Sequence, residues 1–261
     1  MKTFLKILGG LVVVLLLVIA SAWMAMTPNI PDEQWSFESN VPAEPRSFLI
    51  FGATRHTGLE VAKILTARGD KVTVFVRESS DRSQVEPLGV DFVVGDALDA
   101  DSVTAAFASG EFDGVLTTIG SLRAEMPPDY LGNKNIFDAA KAAGVNRVIM
   151  ISTIGAGDSY DAMPWLSEIM LAEVAKLKTQ AEDHMKDIGL DYTVIRPGGM
   201  PYDGGTGGGI MSEDPSTFGF IARPDVARLV VGAFDDNRTI GKTFSAMDPV
   251  RTSLLWAPPE E

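Results

Sequence analysis

The sequence predicts an α/β fold: one doubly wound domain, a parallel sheet covered by helices on both faces. Three observations carry this. From residue 47 to about residue 247, short apolar runs alternate with stretches of helical spacing. The apolar runs are rich in Val, Ile and Phe, as strands buried on both faces require. The first such run leads into a helix through GATRHTG, with glycine at both ends.

Residues 47–51 (SFLIF) read as the first buried strand. Residues 58–68 follow as a helix, with Leu59, Ala62 and Leu65 or Ile64 facing inward and Gly69 closing it. Residues 71–76 (KVTVFV) and 90–94 (VDFVV) read as the second and third strands. Residues 101–109 are a short helix capped by Asp99 or Asp101, before a fourth strand at 114–119. An Ala-rich helix at 133–143 ends at Gly144, and RVIMIS at 147–152 is the fifth strand. The longest helical stretch, 164–188, ends at Gly189; the sixth strand, 192–196, is stopped by Pro197. Residues 224–234 form a helix with proline in its first turn, and 242–246 a last strand. GGTGGG at 204–209 is expected to be a mobile surface loop. It opens no helix, which argues against a second phosphate-binding loop.

The 261 residues carry a net charge of −13, which sets nucleic-acid partners aside and leaves any bound phosphate to local Arg residues and backbone amides. The chain has no cysteine, which excludes disulfides, thiolate metal sites and Cys nucleophiles; with only His56 and His184, no metal site is expected.

Residues 7–26 (ILGGLVVVLLLVIASAWMAM) carry no charge, roughly the 20 residues that a membrane-crossing helix needs. Trp23 lies near the far end, as interfacial aromatics do. A single-pass signal anchor over 1–26 is favoured over a cleaved signal peptide ending at Ala20-Ser21-Ala22, because the apolar run continues past that triplet. Lys2 and Lys6 precede the span and acidic residues follow it, which places the domain outside; a domain that binds a mainly cytosolic ligand would need the opposite side, so the side stays open. Residues 27–46, with Pro28, Pro31, Pro42 and Pro45, read as an extended linker, 47–248 as the domain and 249–261 as a tail.

The chemistry concentrates at the first strand–helix junction. There a doubly wound sheet presents backbone N–H groups and a helix N-terminus to a pyrophosphate. Gly52 would permit the tight turn, and Gly58 would let the helix pack closely on the sheet. The hydroxyls of Thr54 and Thr57 could donate hydrogen bonds. Arg77 ends the second strand, beside the expected adenosine ribose, where a guanidinium suits a 2′-phosphate and an acid suits a free 2′-hydroxyl. Arg55 could add a second cation, so NADP(H) is favoured over NAD(H). Asp96, after the third strand, would accept from the adenine amino group with Ala97 and Leu98 against the ring, or would instead cap a helix.

Together these segments resemble the atypical short-chain dehydrogenase/reductase group with an NAD(P)H-binding, NmrA-like Rossmann domain. The resemblance runs from Ser47 to about Met247. It rests on GATRHTG, VFVR, GDALDADSV, NIFDAAKAAGVNRVIMIST, KTQAEDHMKDIGLDYTVIRPGGM and ARPDVARLVVGAF. It implies dinucleotide contacts from Gly52, Thr54, Thr57, Gly58, Arg77, Asp96, Ala97, Leu98, Ile119 and Gly120. It implies that Ser152 and Thr153 lie beside the nicotinamide, that Lys178 is the active-site lysine at the nicotinamide ribose, and that Pro197 and Gly198 shape the nicotinamide pocket. Two positions depart from the pattern. Arg55 replaces the middle glycine of the loop, and Val174 stands where typical members carry the proton-donating tyrosine. Tyr160, Tyr202, His56 or water are the alternative proton sources.

The expected function is reduction of a small carbonyl, quinone or flavin-like acceptor by NADPH. The alternative is a non-catalytic dinucleotide-binding module that senses redox state or joins a membrane protein partner.

Overall fold

The computed structural model describes residues 8, 10–17, 20–21, 26–37, 43–121, 124–201 and 204–253. Eight strands form one sheet in the order β3-β2-β1-β4-β5-β6-β8-β7. The strands are β1 (Ser47–Phe51), β2 (Lys71–Val76), β3 (Asp91–Val94), β4 (Gly114–Thr117), β5 (Arg147–Ile151), β6 (Asp191–Pro197), β7 (Ile210–Ser212) and β8 (Lys242–Met247). All neighbours pair in parallel except β7 with β8. The strand order reverses between β1 and β4, and the crevice beyond their carboxyl ends is where such sheets bind ligands.

Five helices cover the sheet: α1 (His56–Ala67), α2 (Ala100–Phe107), α3 (Leu131–Ala142), α4 (Trp165–Asp187) and α5 (Arg223–Asp235). Alternation along β1 explains the layering. Phe48 and Ile50 point into one core with Leu59, Val61 and Leu65 of α1 and Val226, Leu229 and Val230 of α5. Leu49 and Phe51 point into the other, with Val103 of α2, Ile136 and Phe137 of α3, and Ala181 and Met185 of α4. Every expected strand and helix is present, with ends shifted by one or two residues. The exception is β7, a three-residue antiparallel edge strand too short to leave a pattern in the sequence.

Three expectations need correction. The glycine-rich loop is tied down. Thr206 N and Gly207 N donate to the buried Asp225 carboxylate at 2.9 and 3.0 Å, the Thr206 hydroxyl donates to Asp248, and Arg251 donates to Gly204 O at 2.6 Å. Those amides already hold a carboxylate, so the loop has none of them to offer a phosphate. Part of the expected linker also docks on the domain. Asn29 bridges to Phe218 and Trp35 to Met211, Trp35 meets Phe244 edge-on at 5.3 Å, and Phe37 covers Gly232. The tail read as starting at 249 begins inside the fold, since Arg251 is fully buried.

The expected membrane-crossing helix falls partly outside the described residues, Trp23 included. Residues 8, 10–17, 20 and 21 are helical, but among the described residues no helix is long and apolar enough to cross a membrane.

Candidate active site at the carboxyl edge of the sheet

The loop between β1 and α1 is shaped by close backbone approach. Gly52 has φ +95°, in the left-handed region, and a Cβ there would lie 2.5 Å from Thr118 Oγ1. That hydroxyl donates to Gly52 O at 3.0 Å, which ties the turn to the end of β4. A Cβ on Gly58 would lie 2.3 Å from Gly52 O, so α1 can rest on the loop only through glycine. Arg55 is extended, and His56 opens α1 with φ +55°, a conformation that costs non-glycine residues energy and that clusters at functional sites. Partial burial, then the charges of Arg223 and Arg55, hold the His56 imidazole below its ordinary pKa, which keeps it neutral. Thr57 is buried, Thr54 half-buried and Arg55 exposed.

Arg77 directly follows β2 at the same edge. It is exposed, and its guanidinium makes no ion pair among the described residues. Asp96 is exposed and accepts from Leu98 N at 2.9 Å in a local turn, whereas Asp99 caps α2 by accepting from Asp101 N. Asp96 is therefore not the helix cap. Ala97 is buried, and its carbonyl accepts from Asn135 of α3 at 2.9 Å.

At the ends of β4 and β5 the side chains lock together. Lys178 is buried, contrary to the solvated face that the flanking charges of α4 suggest. Its ammonium donates to Ile119 O at 2.6 Å and to Ile151 O at 3.3 Å, and Asp129 Oδ1 lies 3.7 Å away. Burial lowers the Lys178 pKa, and Asp129 and then Glu182 oppose that shift. Asp129 accepts from Ser121 N at 2.9 Å through Oδ2, while its buried Oδ1 makes no hydrogen bond. A Cβ on Gly120 would meet that oxygen at 2.6 Å, so glycine is needed there too.

Ser152 donates its hydroxyl proton to Glu182 at 2.5 Å. Glu182 is fully buried and takes two bonds from Arg196, at 3.1 and 2.6 Å; Arg196 also donates to Asp158 at 2.5 Å. Thr153 is half-buried beside Ser152. Pro197 ends β6, and a Cβ on Gly198 would lie 2.1 Å from Gly219 O, which fixes the turn after that strand. Val174 is half-buried one turn before Lys178, an aliphatic group with no proton to give. Of the other proton sources, Tyr160 donates to Glu168 at the entrance to α4, His56 lies on the loop, and Tyr202 is outside the described residues.

The structure thus brings Gly52, Thr54, Arg55, Thr57, Gly58, Arg77, Asp96, Ala97, Leu98, Ile119, Gly120, Ser152, Thr153, Lys178, Pro197 and Gly198 to one edge of the sheet. Sequence reasoning missed Asp129, Asp158, Glu182 and Arg196. Two signals were present: Arg196 is a lone charge in an apolar strand, and Glu182 lies four residues from Lys178, on its face of the helix. Asp129 and Asp158 left no signal.

The residues fit a dinucleotide. Gly52 and Gly58 let the loop close up on the N-terminus of α1, where backbone N–H groups suit a pyrophosphate, and Gly120 leaves room for Asp129 beside a buried ammonium. Among the described residues no group of side chains is arranged to hold a metal ion.

Comparison with known proteins agrees with this geometry. A family profile described as NAD(P)H-binding matches residues 52–237. The uncharacterized sugar epimerase YhfK of Bacillus subtilis is 30% identical over 203 residues, covering 76% of this chain and 91% of that protein. Sanguinarine reductase of Eschscholzia californica is 28% identical over 209 residues, covering 71% and 75%. The solved structure of ChuY, an anaerobillin reductase from Escherichia coli O157:H7, superposes with a TM-score of 0.71 at 27% identity over 81% of this chain and 99% of that one. The chain therefore belongs to the NAD(P)H-binding family of Rossmann-fold proteins, the atypical short-chain dehydrogenase/reductase group.

Proposed function

We propose that the protein is an NADPH-dependent reductase of a small carbonyl, quinone or flavin-like acceptor. The observation that carries this reading is the buried Lys178 ammonium, held at Ile119 O and Ile151 O at the switch-point edge, next to a loop that glycine lets pack closely on the start of α1. Reductase names among the relatives support it. When bound, the nicotinamide supplies a hydride. Gly52, Thr54, Thr57 and Gly58 would hold the pyrophosphate, and Ala97 and Leu98 the adenine. The unengaged Arg77 guanidinium, with exposed Arg55 on the loop as a second cation, favours a 2′-phosphate, hence NADPH over NADH. Lys178 would orient the nicotinamide ribose, and Pro197 and Gly198 would wall the pocket.

Ser152 gives its proton to Glu182, which leaves its oxygen only as an acceptor. It can anchor an N–H group of the cofactor but does not supply the proton that reduction consumes. With Val174 in the tyrosine position, that proton comes from water entering with the acceptor.

Val174 also favours a second reading, a dinucleotide-binding module without turnover. Thermal-shift titration with NADPH and NADH, followed by NADPH oxidation against carbonyls, quinones and flavins, separates the two. A melting temperature that rises with NADPH and no oxidation with any acceptor supports the module. No shift with either dinucleotide overturns both readings.

We further propose membrane attachment through residues 7–26. The uncharged run supports it, as does the exposure of Leu8, Leu11, Val12, Val13, Val14, Leu15, Leu16 and Leu17. Flotation of the full-length chain with membranes after a high-salt wash tests it.

A further inference from the structure

We propose that the first three turns of α4 form a lipid-docking face that turns the mouth of the active site toward the bilayer, so that the site takes a lipid-soluble acceptor. This rests on the reductase reading and on attachment through residues 7–26.

Trp165, Leu166, Ile169 and Met170 are exposed at the start of α4, Ile169 to 75% and Met170 to 68%. Their spacing puts them on one stripe of the helix, the stripe that a globular helix normally buries. Full burial in α4 begins only at Ala175; before it Ser167, Leu171 and Val174 are half-buried on the inner face and the other seven residues are exposed, so this end of the helix is covered on one side only. The helix runs down from this end to the buried Lys178, which lies nine residues beyond Ile169, or about 14 Å along the axis. The start of α4 therefore rises past the carboxyl edge that holds Lys178 and Ser152, with the apolar stripe on its outer flank, about half a turn round the helix from Lys178.

An independent contact brings the N-terminal run to the same place. Met26, the last residue of the apolar run 7–26, packs with Ala162 against the cluster of Ile154, Phe218 and Phe220. Ile154 lies two residues past Ser152, and Ala162 three residues before Trp165. The uncharged run thus joins the domain beside the mouth, and its described apolar side chains are exposed as well. A lipid surface that receives that run also meets the start of α4.

Charge selects the occupant. Asp158, Asp161, Glu168 and Glu173 are exposed around the start of α4, with Lys176 the nearby cation. Their repulsion, in a chain of net charge −13, disfavours a second copy of the same face and any anionic headgroup. Insertion of Trp165 and its aliphatic neighbours into the interface of neutral lipid meets no such penalty.

The chain lacks cysteine, so Ile169→Cys in the full-length protein takes a single environment-sensitive fluorophore. Glu111→Cys, exposed before β4 at the amino edge of the sheet, is the control. Both are reconstituted into phosphatidylcholine vesicles. The label at Ile169 should shift to the blue and be quenched several-fold more by brominated lipid than the label at Glu111, with no gain when phosphatidylglycerol is added. Equal quenching of both labels by aqueous iodide would overturn the proposal. So would a label at Ile169 shielded from iodide yet untouched by brominated lipid, the signature of a protein cover. A chain that fails to float with the vesicles refutes attachment and the docking face together. Binding of NADPH, read separately by thermal shift, shows whether the reductase reading stands in either case.

Discussion

One methyl group at Gly58 tests the cofactor loop. The Cβ of Gly58→Ala would stand 2.3 Å from Gly52 O, 2.9 Å from Gly52 C and 3.0 Å from Ala53 Cα. All three are backbone atoms of the loop, so no side chain can rotate out of the way. Bringing the oxygen contact to 3.0 Å, the closest that real Cβ atoms come, opens the loop from the helix by about 0.7 Å. Overpacking of this kind costs about 1–3 kcal/mol. Alanine in a helix returns about 1 kcal/mol relative to glycine. The unliganded protein thus loses about 0–2 kcal/mol, a fall in Tm of at most ~8 °C for a domain of this size. The dinucleotide loses more, because hydrogen bonds to a charged phosphate contribute about 1.5–3 kcal/mol each and depend on amide positions set by this contact. Loss of one such bond raises the Kd for NADPH about 10- to 150-fold. Fluorescence titration of the variant beside a thermal melt gives both numbers. A Kd equal to that of the wild type would refute the reasoning, since it would mean that the phosphates are held elsewhere.

Three further outcomes are expected. Arg77→Glu should weaken NADPH by about one to two orders of magnitude and leave NADH nearly unchanged, because the new carboxylate faces the 2′-phosphate; titration with both cofactors checks this. Glu182→Gln leaves the buried Arg196 with Asp158 alone, and should cost about 2–3 kcal/mol, near the low end for breaking a buried pair, read as a Tm lower by about 5–10 °C. Lys178 has a folded-state pKa below its ordinary 10.5, so between the two values the unfolded chain binds the proton more tightly and stability rises with pH. Urea unfolding from neutral pH to 10.5 should show that rise in the wild type and not in Lys178→Met.

Much of this was legible in the sequence because periodicity reports burial. Strands covered on both faces must be apolar throughout, so β1, β2, β4, β5 and β6 announced themselves, and their order placed GATRHTG at a ligand-binding edge. Glycine spacing was equally direct, since Gly52 and Gly58 answer to contacts within a few residues. The ionic framework was not legible. Whether Lys178 and Glu182 face water or the sheet depends on where α4 docks, and four charges along one helix look the same either way. Asp129 meets Lys178 across 49 positions of chain, a distance that no local pattern records. The same blindness made 204–209 look loose, because Asp225 and Asp248, which hold it, lie downstream.

The docked stretch around Trp35 and Phe37 bears on how the molecule can be cut. Composition marks Ser47 as the natural start of a recombinant fragment. Such a fragment would strip Trp35 from the ring of Phe244 and Phe37 from the surface of Gly232, baring greasy patches along α5 and β8 and inviting clumping. Trimming upstream of Asn29 keeps that belt fastened.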